Sequence, residues 1–323
     1  MNILEFGAHK GAFCGEAIQR ALDAAAAQGG GRVTVPAGEY LTGSLVMRSH
    51  VELHLEAGAV LRFTDDFDAY PIIDTRWEGY EQPSYRPLIY AREERDVSIT
   101  GLGTLEGQGK KWWEAFRAGT LSAARPCLIG LERCERVCLA DFKAVNSPAW
   151  TLHPLCCENV RISGVTVVNP ADSPNTDGID PESCRNVRIS GCHIDVGDDC
   201  IAIKAGTEDA RQAVPCENIT ITGCTMVHGH GGVVLGSEMS GSIRRVAISG
   251  CVFDGTDRGI RIKSRRRRGG SVEDVSVTGV VMNARQKPVT LSGLTAEHVR
   301  GLHLADLRIV GARGEEITLR DVQ

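Results

Sequence analysis

The sequence predicts an all-β chain wound as a solenoid, a single-stranded parallel β-helix with a short α-helix over its amino-terminal end. Three observations lead there. A short motif recurs as RDVSITG, ERVCLAD, ENVRISG, RNVRISG, ENITITG, RRVAISG, EDVSVTG and RGLHLAD. After Ile99 in the first copy, the central apolar residues are Leu139, Ile162, Ile189, Ile221, Ile248, Val277 and Leu304, spaced 23, 27, 32, 27, 29 and 27 residues apart. Each copy alternates apolar and polar side chains, as Val160 and Ile162 do against Arg161 and Ser163, which is the period of a half-buried strand. Units of this length without helical periodicity stack as coils at the ~4.8 Å strand spacing. Leucine-rich repeats would need regularly spaced leucines and an asparagine, and propeller blades four strands and about 40 residues per unit. Neither pattern is present.

From the amino terminus, Glu16 to Gln28 place Ile18, Ala21, Leu22 and Ala25 on one helical face, and Gly29, Gly30 and Gly31 stop the helix. Lying over the first coil, it would cover an edge that an open solenoid leaves unpaired. Residues 1–323 then form one β-helix domain, with about residues 1–35 as its cap. The Tyr70–Pro87 segment, rich in Tyr and Pro and containing Trp77, reads as a long loop, and such loops in compact domains are usually functional. Downstream, DGID, DCIAIK, GGVVLG and RGIRIKS form a second ladder with Ile179, Ile201, Val233 and Ile260 in phase. Cys134, Cys157, Cys184 and Cys216 share one phase, filled in later coils by Ile243, Val272 and Val299. Cys192, Cys224 and Cys251 share another, continued by Val165 and Val280. Free cysteine packs as a small hydrophobe, so the 12 cysteines read as core columns before disulfides or metal ligands.

The 36 basic and 41 acidic side chains leave a net charge of −5, which gives no global attraction for nucleic acid. No stretch is apolar for long enough to span a bilayer. The start MNILEFGAHK lacks a secretory signal pattern, so a cytoplasmic location is expected, although a processed secreted or periplasmic chain would look the same.

Four segments carry residues that neither a core nor a simple turn requires: SPNTDGID, VGDDCIAIK, GHGG and RGIRIKS. By ladder phase Asp177 stacks near Asp199 and Asp198 near His230, with Arg261 and Lys263 a coil further on. Carboxylates so close cannot all ionise freely, so at least one has a raised pKa. Glycoside hydrolysis needs that arrangement, an acid for the leaving oxygen and a base for water; a water between them would put the carboxyl groups ~6.5–9.5 Å apart and invert configuration. Adjacent aspartates in a turn are alone more often a calcium or turn motif, and it is their company that changes the reading.

These segments, Asn175-Thr176-Asp177, Asp198-Asp199, Gly229-His230-Gly231 and Arg261-Ile262-Lys263, resemble in order the motifs of the polygalacturonase family of glycoside hydrolases, family 28. The likeness extends to FGAHKGAF, GTLEGQGKKWW and SPAWTLHP. It implies a right-handed parallel β-helix and an inverting hydrolase. Asp198 would be the general acid, Asp177 and Asp199 would hold and deprotonate the attacking water, and His230 would position the acid. Arg261 and Lys263 would grip a substrate carboxylate, a task suited to a guanidinium fork beside an ammonium. One departure stands out: the family's tyrosine after the Arg-Ile-Lys segment has no counterpart, since no tyrosine follows Tyr90, and VVMNARQKPVTLSG is short.

Among weaker candidates, Asn175 either orients substrate or water or is a turn asparagine. Lys204, in phase with Lys263, is a substrate contact or a solvated lysine. His153 is expected at the far subsites with Trp150, for which core packing competes, and Arg265 to Arg268 reads as a solvated loop. No cofactor and no metal are implied, since three carboxylates and a water suffice. The expected activity is exo-acting hydrolysis of α-linked galacturonide in oligo- or polygalacturonate. The competing readings are the same fold acting on another pectic glycan such as rhamnogalacturonan, a calcium-dependent lyase, and a catalytically silent carbohydrate-binding solenoid.

Overall fold

The computed structural model describes residues 1–210, 213–294, 298–310 and 317–320. Each motif copy forms a strand of one 18-stranded parallel sheet, and Ile99, Leu139, Ile162, Ile189, Ile221, Ile248, Val277 and Leu304 are register partners from coil to coil. A second parallel ladder begins with Leu45–Val46, Ile89–Arg92, Ile129–Glu132 and Leu152–Leu155. It crosses one coil as bridges at Ile179 and resumes with Ile201–Ile203, Val233–Leu235, Arg258–Lys263 and Lys287–Ser292. Ile179, Ile201, Val233 and Ile260 are in register along it. Successive parallel strands joined by such crossovers wind right-handed.

The corner leading into each motif strand needs a left-handed residue, which a β-branched side chain resists. Asn159, Asn186 and Asn218 adopt φ of 58°, 59° and 58° there, and Arg136 and Arg245 take the same turn. Asparagine also links the coils: Nδ2 of Asn218 donates to Oδ1 of Asn186 at 3.0 Å, and Nδ2 of Asn186 to Oδ1 of Asn159 at 3.2 Å. Inside, Val160, Ile162, Val187 and Ile189 are buried, each contributing about 1.5–3 kcal/mol by leaving water. The cysteine columns belong to this core. Cys134, Cys157, Cys184 and Cys216 are free and buried, and the backbone N–H of each of the first three donates to the next Sγ at 3.3, 3.3 and 3.4 Å.

Two expectations need correction, and one element is additional. The cap helix spans Gly15–Ala27 with Ile18, Ala21, Leu22 and Ala25 buried, but the strand Gly31–Val35 already pairs with Val51–Leu55, so the cap ends before residue 31 rather than near 35. A second helix, Lys110–Ala118, was not foreseen; it buries Trp112 and Trp113 and ends on Gly119 at φ 65°. The Tyr70–Pro87 segment is not a loop but holds an antiparallel hairpin, Ile72–Trp77 against Tyr80–Tyr85. Its two-residue turn, Glu78 and Gly79 with φ of 50° and 79°, has the left-handed backbone that matches strand twist.

Candidate active site

Asp177, Asp198, Asp199 and His230 lie in the turns that carry the chain from the first ladder into the second, whereas Arg261 and Lys263 stand on the strand Arg258–Lys263 of the second ladder. Asp198 and Asp199 separate His193–Val196 from Ile201–Ile203, and His230 separates Thr225–His228 from Val233–Leu235. Backbone bonds between coils hold these turns in stack. Gly178 N–H donates to Asp199 O at 3.0 Å, and His230 N–H to Asp198 O at 3.0 Å. Gly229, at φ 78°, has no room for a side chain, because a Cβ would come within 2.4 Å of Asp198 O.

Asp177, Asp198 and Asp199 each offer a carboxylate oxygen within 4.8 Å of the others. That is tighter than the ~6.5–9.5 Å expected of two carboxyl groups flanking a water. Three oxygens converging on one point suit the holding of one small group, so spacing alone does not select inversion here. A divalent cation is such a group, yet ammonium groups already serve two of the three: Lys263 Nζ donates to Asp199 Oδ2 at 2.9 Å, and Lys204 Nζ is 3.7 Å from Asp177 Oδ2. Asp199 Oδ1 is buried without a hydrogen-bond partner among the described residues.

Charge is divided unevenly across the cluster. Burial, then the neighbouring Asp180 and Asp198 carboxylates, push Asp177 well above the usual carboxylate range, and burial raises Asp180 to about 8. Asp198 goes the other way: burial would raise it, but the His230 hydrogen bond, Nδ1 to Oδ1 at 3.0 Å, and the positive charges of His230, Lys263 and Lys204 bring it below the usual value. The same bond raises His230. Burial and charge therefore favour a proton on Asp177 and Asp180 over one on Asp198, the residue that the family motif makes the acid.

Two expected substrate contacts are placed otherwise. His153 is 4% exposed, with Nε2 3.1 Å from Glu182 Oε2 and its ring edge-on to Trp150, and it borders only a small cavity of about 20 Å³ shared with Trp77 and Arg125. Lys204 is neither solvated nor open to substrate. Its ammonium is buried 3.4 Å from Glu238 Oε2 and 3.6 Å from Asp180 Oδ1, and lies 4.6 Å from the Trp150 ring. Burial opposes its charge, but Glu238, Asp177 and Asp180 more than offset that and hold it well above the usual lysine value. Asn175, at φ 52°, accepts from Arg125 Nη2 at 2.6 Å.

Arg125, Asp180, Glu182 and Glu238 went unremarked in the sequence because their roles depend on partners far along the chain. Arg125 is 2% exposed, donates to Pro148 O and Pro174 O at 3.0 and 2.6 Å, and lies over Phe116. The hairpin reaches this site as well. Trp77 packs on Trp150 with centroids 4.5 Å apart, Arg76 pairs with buried Glu182 at 3.3 Å, and Thr207 Oγ1 donates to Gly79 O at 2.8 Å. Of the arginine run, Arg265, Arg266 and Arg267 are exposed, as a solvated loop would have them, yet Arg265 Nη2 donates to Tyr80 Oη at 2.6 Å and to Glu208 Oε1 at 2.9 Å, and buried Arg268 pairs with Glu208 at 3.0 Å.

The family model for glycosyl hydrolases family 28 matches residues 27–298. The chain belongs to this family. A probable polygalacturonase of Vitis vinifera is 38% identical to this family 28 chain over 280 residues, which cover 84% of it and 57% of the relative. An endo-polygalacturonase of Pectobacterium parmentieri is 30% identical over 303 residues, covering 88% and 70%. The solved exopolygalacturonase of Thermotoga maritima superposes with a TM-score of 0.83 at 29% identity, over 100% of this chain and 90% of that one. The chain spans about half the length of these curated plant relatives, 57% of the grapevine protein and 40% of one from Arabidopsis thaliana.

Proposed function

We propose that the protein hydrolyses α-linked galacturonide in pectin-derived oligo- and polygalacturonate, with inversion, from a chain end. The observation that carries this reading is the convergence of Asp177, Asp198 and Asp199 within 4.8 Å, with His230 on Asp198 and Lys263 on Asp199. Asp198 delivers the proton to the leaving oxygen, and Asp177 with Asp199 holds and deprotonates the water. Burial and charge favour a proton elsewhere in the cluster of the free protein, so substrate binding has to redistribute it. An anionic sugar near Lys263 weakens the positive field that keeps Asp198 ionised and excludes water from it; both effects raise Asp198 and draw the proton from Asp177. Supporting exo action, the turn of the hairpin Ile72–Tyr85 stands against Thr207 and Glu238, whose carboxylate is 3.4 Å from Lys204 of the cluster, where a wall across one end of the site would stand.

Purified protein incubated with trigalacturonate and polygalacturonate, with and without a chelator, tests this by reducing ends and near-ultraviolet absorbance. The expected result is chelator-resistant release of saturated galacturonate, reduced at least about 100-fold in Asp198→Asn. An absorbing product that needs calcium would mean a lyase, and binding without turnover a silent binder; either overturns the reading.

A further inference from the structure

The stretch Gly103–Trp113 supplies nothing to the aspartate cluster, yet it borders a groove of about 720 Å³ that Asp177, Asp198, Asp199 and His230 do not line. The floor is set by strand register. Glu106 stands beside Arg62 on the first ladder, both on the outer face because Leu105 and Leu61 fill the core. From the next coil, Asn146 Nδ2 donates to both Glu106 oxygens at 3.0 Å. Gln108 and the first turn of the helix Lys110–Ala118 make the wall, which Trp113 closes. Arg62 is paired with Glu39 at 2.8 Å and Lys110 with Glu114 at 4.0 Å, whereas no ion pair joins Lys111 to a carboxylate among the described residues. The side-chain oxygens of Gln108 and Asn146 accept no hydrogen bond among those residues either.

We propose that this groove is a second, non-catalytic glycan site, which holds a uronate sugar with its carboxylate at Lys111 and its hydroxyls on Glu106, Gln108 and Asn146. The volume lies within the range of about 300–1,000 Å³ usual for small-ligand sites, but the lining is mostly polar, which suits a molecule rich in hydroxyls. Asp65, Glu106 and Glu114 accept from such hydroxyls, and the same carboxylates repel a doubly charged phosphate. A singly charged sugar acid meets both conditions. The uronate class comes from the groove itself, and only the choice of galacturonide as probe rests on the reading of the aspartate cluster. A polymer held here while another part of it occupies the cluster gains from effective concentration, and a short oligomer does not.

The test titrates Asp198→Asn protein, which leaves the ligand whole, with trigalacturonate and follows the sequentially assigned indole N–H resonance of Trp113. That resonance should shift and saturate. Loss of one exposed charged contact should weaken the titration about fivefold in Asp198→Asn/Lys111→Ala, and Lys111→Arg should restore it. A neutral galactose trisaccharide should bind about fivefold more weakly than trigalacturonate. Turnover of trigalacturonate should be the same in Lys111→Ala as in the wild type. A Trp113 resonance that does not move, a titration indifferent to Lys111→Ala, or equal binding of the neutral sugar would each overturn the site. Wild-type protein that cleaves no galacturonide, with the Trp113 titration still dependent on Lys111, would sink the hydrolase reading and leave the groove site standing.

Discussion

Asp180 shows how one buried carboxyl couples the site to stability. It is fully buried beside Lys204 and Asp177, with its pKa raised to about 8. Between pH about 4 and 8 the folded protein keeps a proton on Asp180 that the unfolded chain has lost, so this group makes stability fall as pH rises through that window. Glu238 has the opposite sign: burial would raise it, but Lys204, a backbone hydrogen bond, Lys263 and Ser237 together bring it to about 2, so its contribution is present above the usual glutamate pKa and is lost as pH falls towards 2. Asp180→Asn, of equal shape and without charge, is expected to flatten the decline between pH 5 and 8 and to gain on the order of 2 kcal/mol at pH 8. Urea denaturation at the two pH values measures this, and an unchanged slope would mean that Asp180 is ionised when folded. Lys204 makes the opposite case. Lys204→Met leaves Asp177, Asp180 and Glu238 without their shared cation, and it should cost about 3–5 kcal/mol at neutral pH, read as a lowered urea midpoint.

At the scale of elements, the hairpin Ile72–Tyr85 is the feature that local composition hid. Its apolar residues do not alternate cleanly, Pro83 lies within its second strand, and its turn is Glu78-Gly79 rather than an asparagine or aspartate turn. What holds it is tertiary: Trp77 on Trp150, Arg76 on Glu182, Gly79 under Thr207 and Tyr80 at Arg265. Replacing residues 74–83 by two glycines should open one end of the site. Products from polygalacturonate would then shift from monomer towards mixed oligomers, with a faster fall in viscosity for each bond cleaved. If the product distribution does not change, the hairpin does not set the mode of attack.

For the whole molecule, stability is spread along a stack in which each coil contacts its neighbours. Ile189, 1% exposed between Ile162 and Ile221, should cost about 2–5 kcal/mol on substitution by alanine, because the cavity cannot collapse between fixed coils. Cys184 lies in a column that later coils fill with Ile243 and Val272, so Cys184→Val should cost less than about 1.5 kcal/mol. Thermal denaturation of the two variants orders these effects. If Cys184→Val proves the more damaging, the thiol contacts along the column matter beyond packing.

The winding of this chain was legible from residues alone, because a repeat writes the same local demand many times. Apolar Ile or Val every second position and a small hydrophobe before the strand suffice to set Ile162 on Ile189 and Asp177 by Asp199. The repeat also placed Asp198 beside His230. Phase, however, says which residues share a face and nothing of depth or partner. Only the folded structure decided that Lys204 and His153 are buried, that Lys263 is bound to Asp199, and that burial and charge favour a proton on Asp177 and Asp180 over one on Asp198. Ionisation depends on the sum of burial and neighbouring charge, and the neighbours here come from separate coils, Asp180, Lys204 and Glu238 from three of them and the hairpin's Arg76 from a segment more than a hundred positions before its partner Glu182.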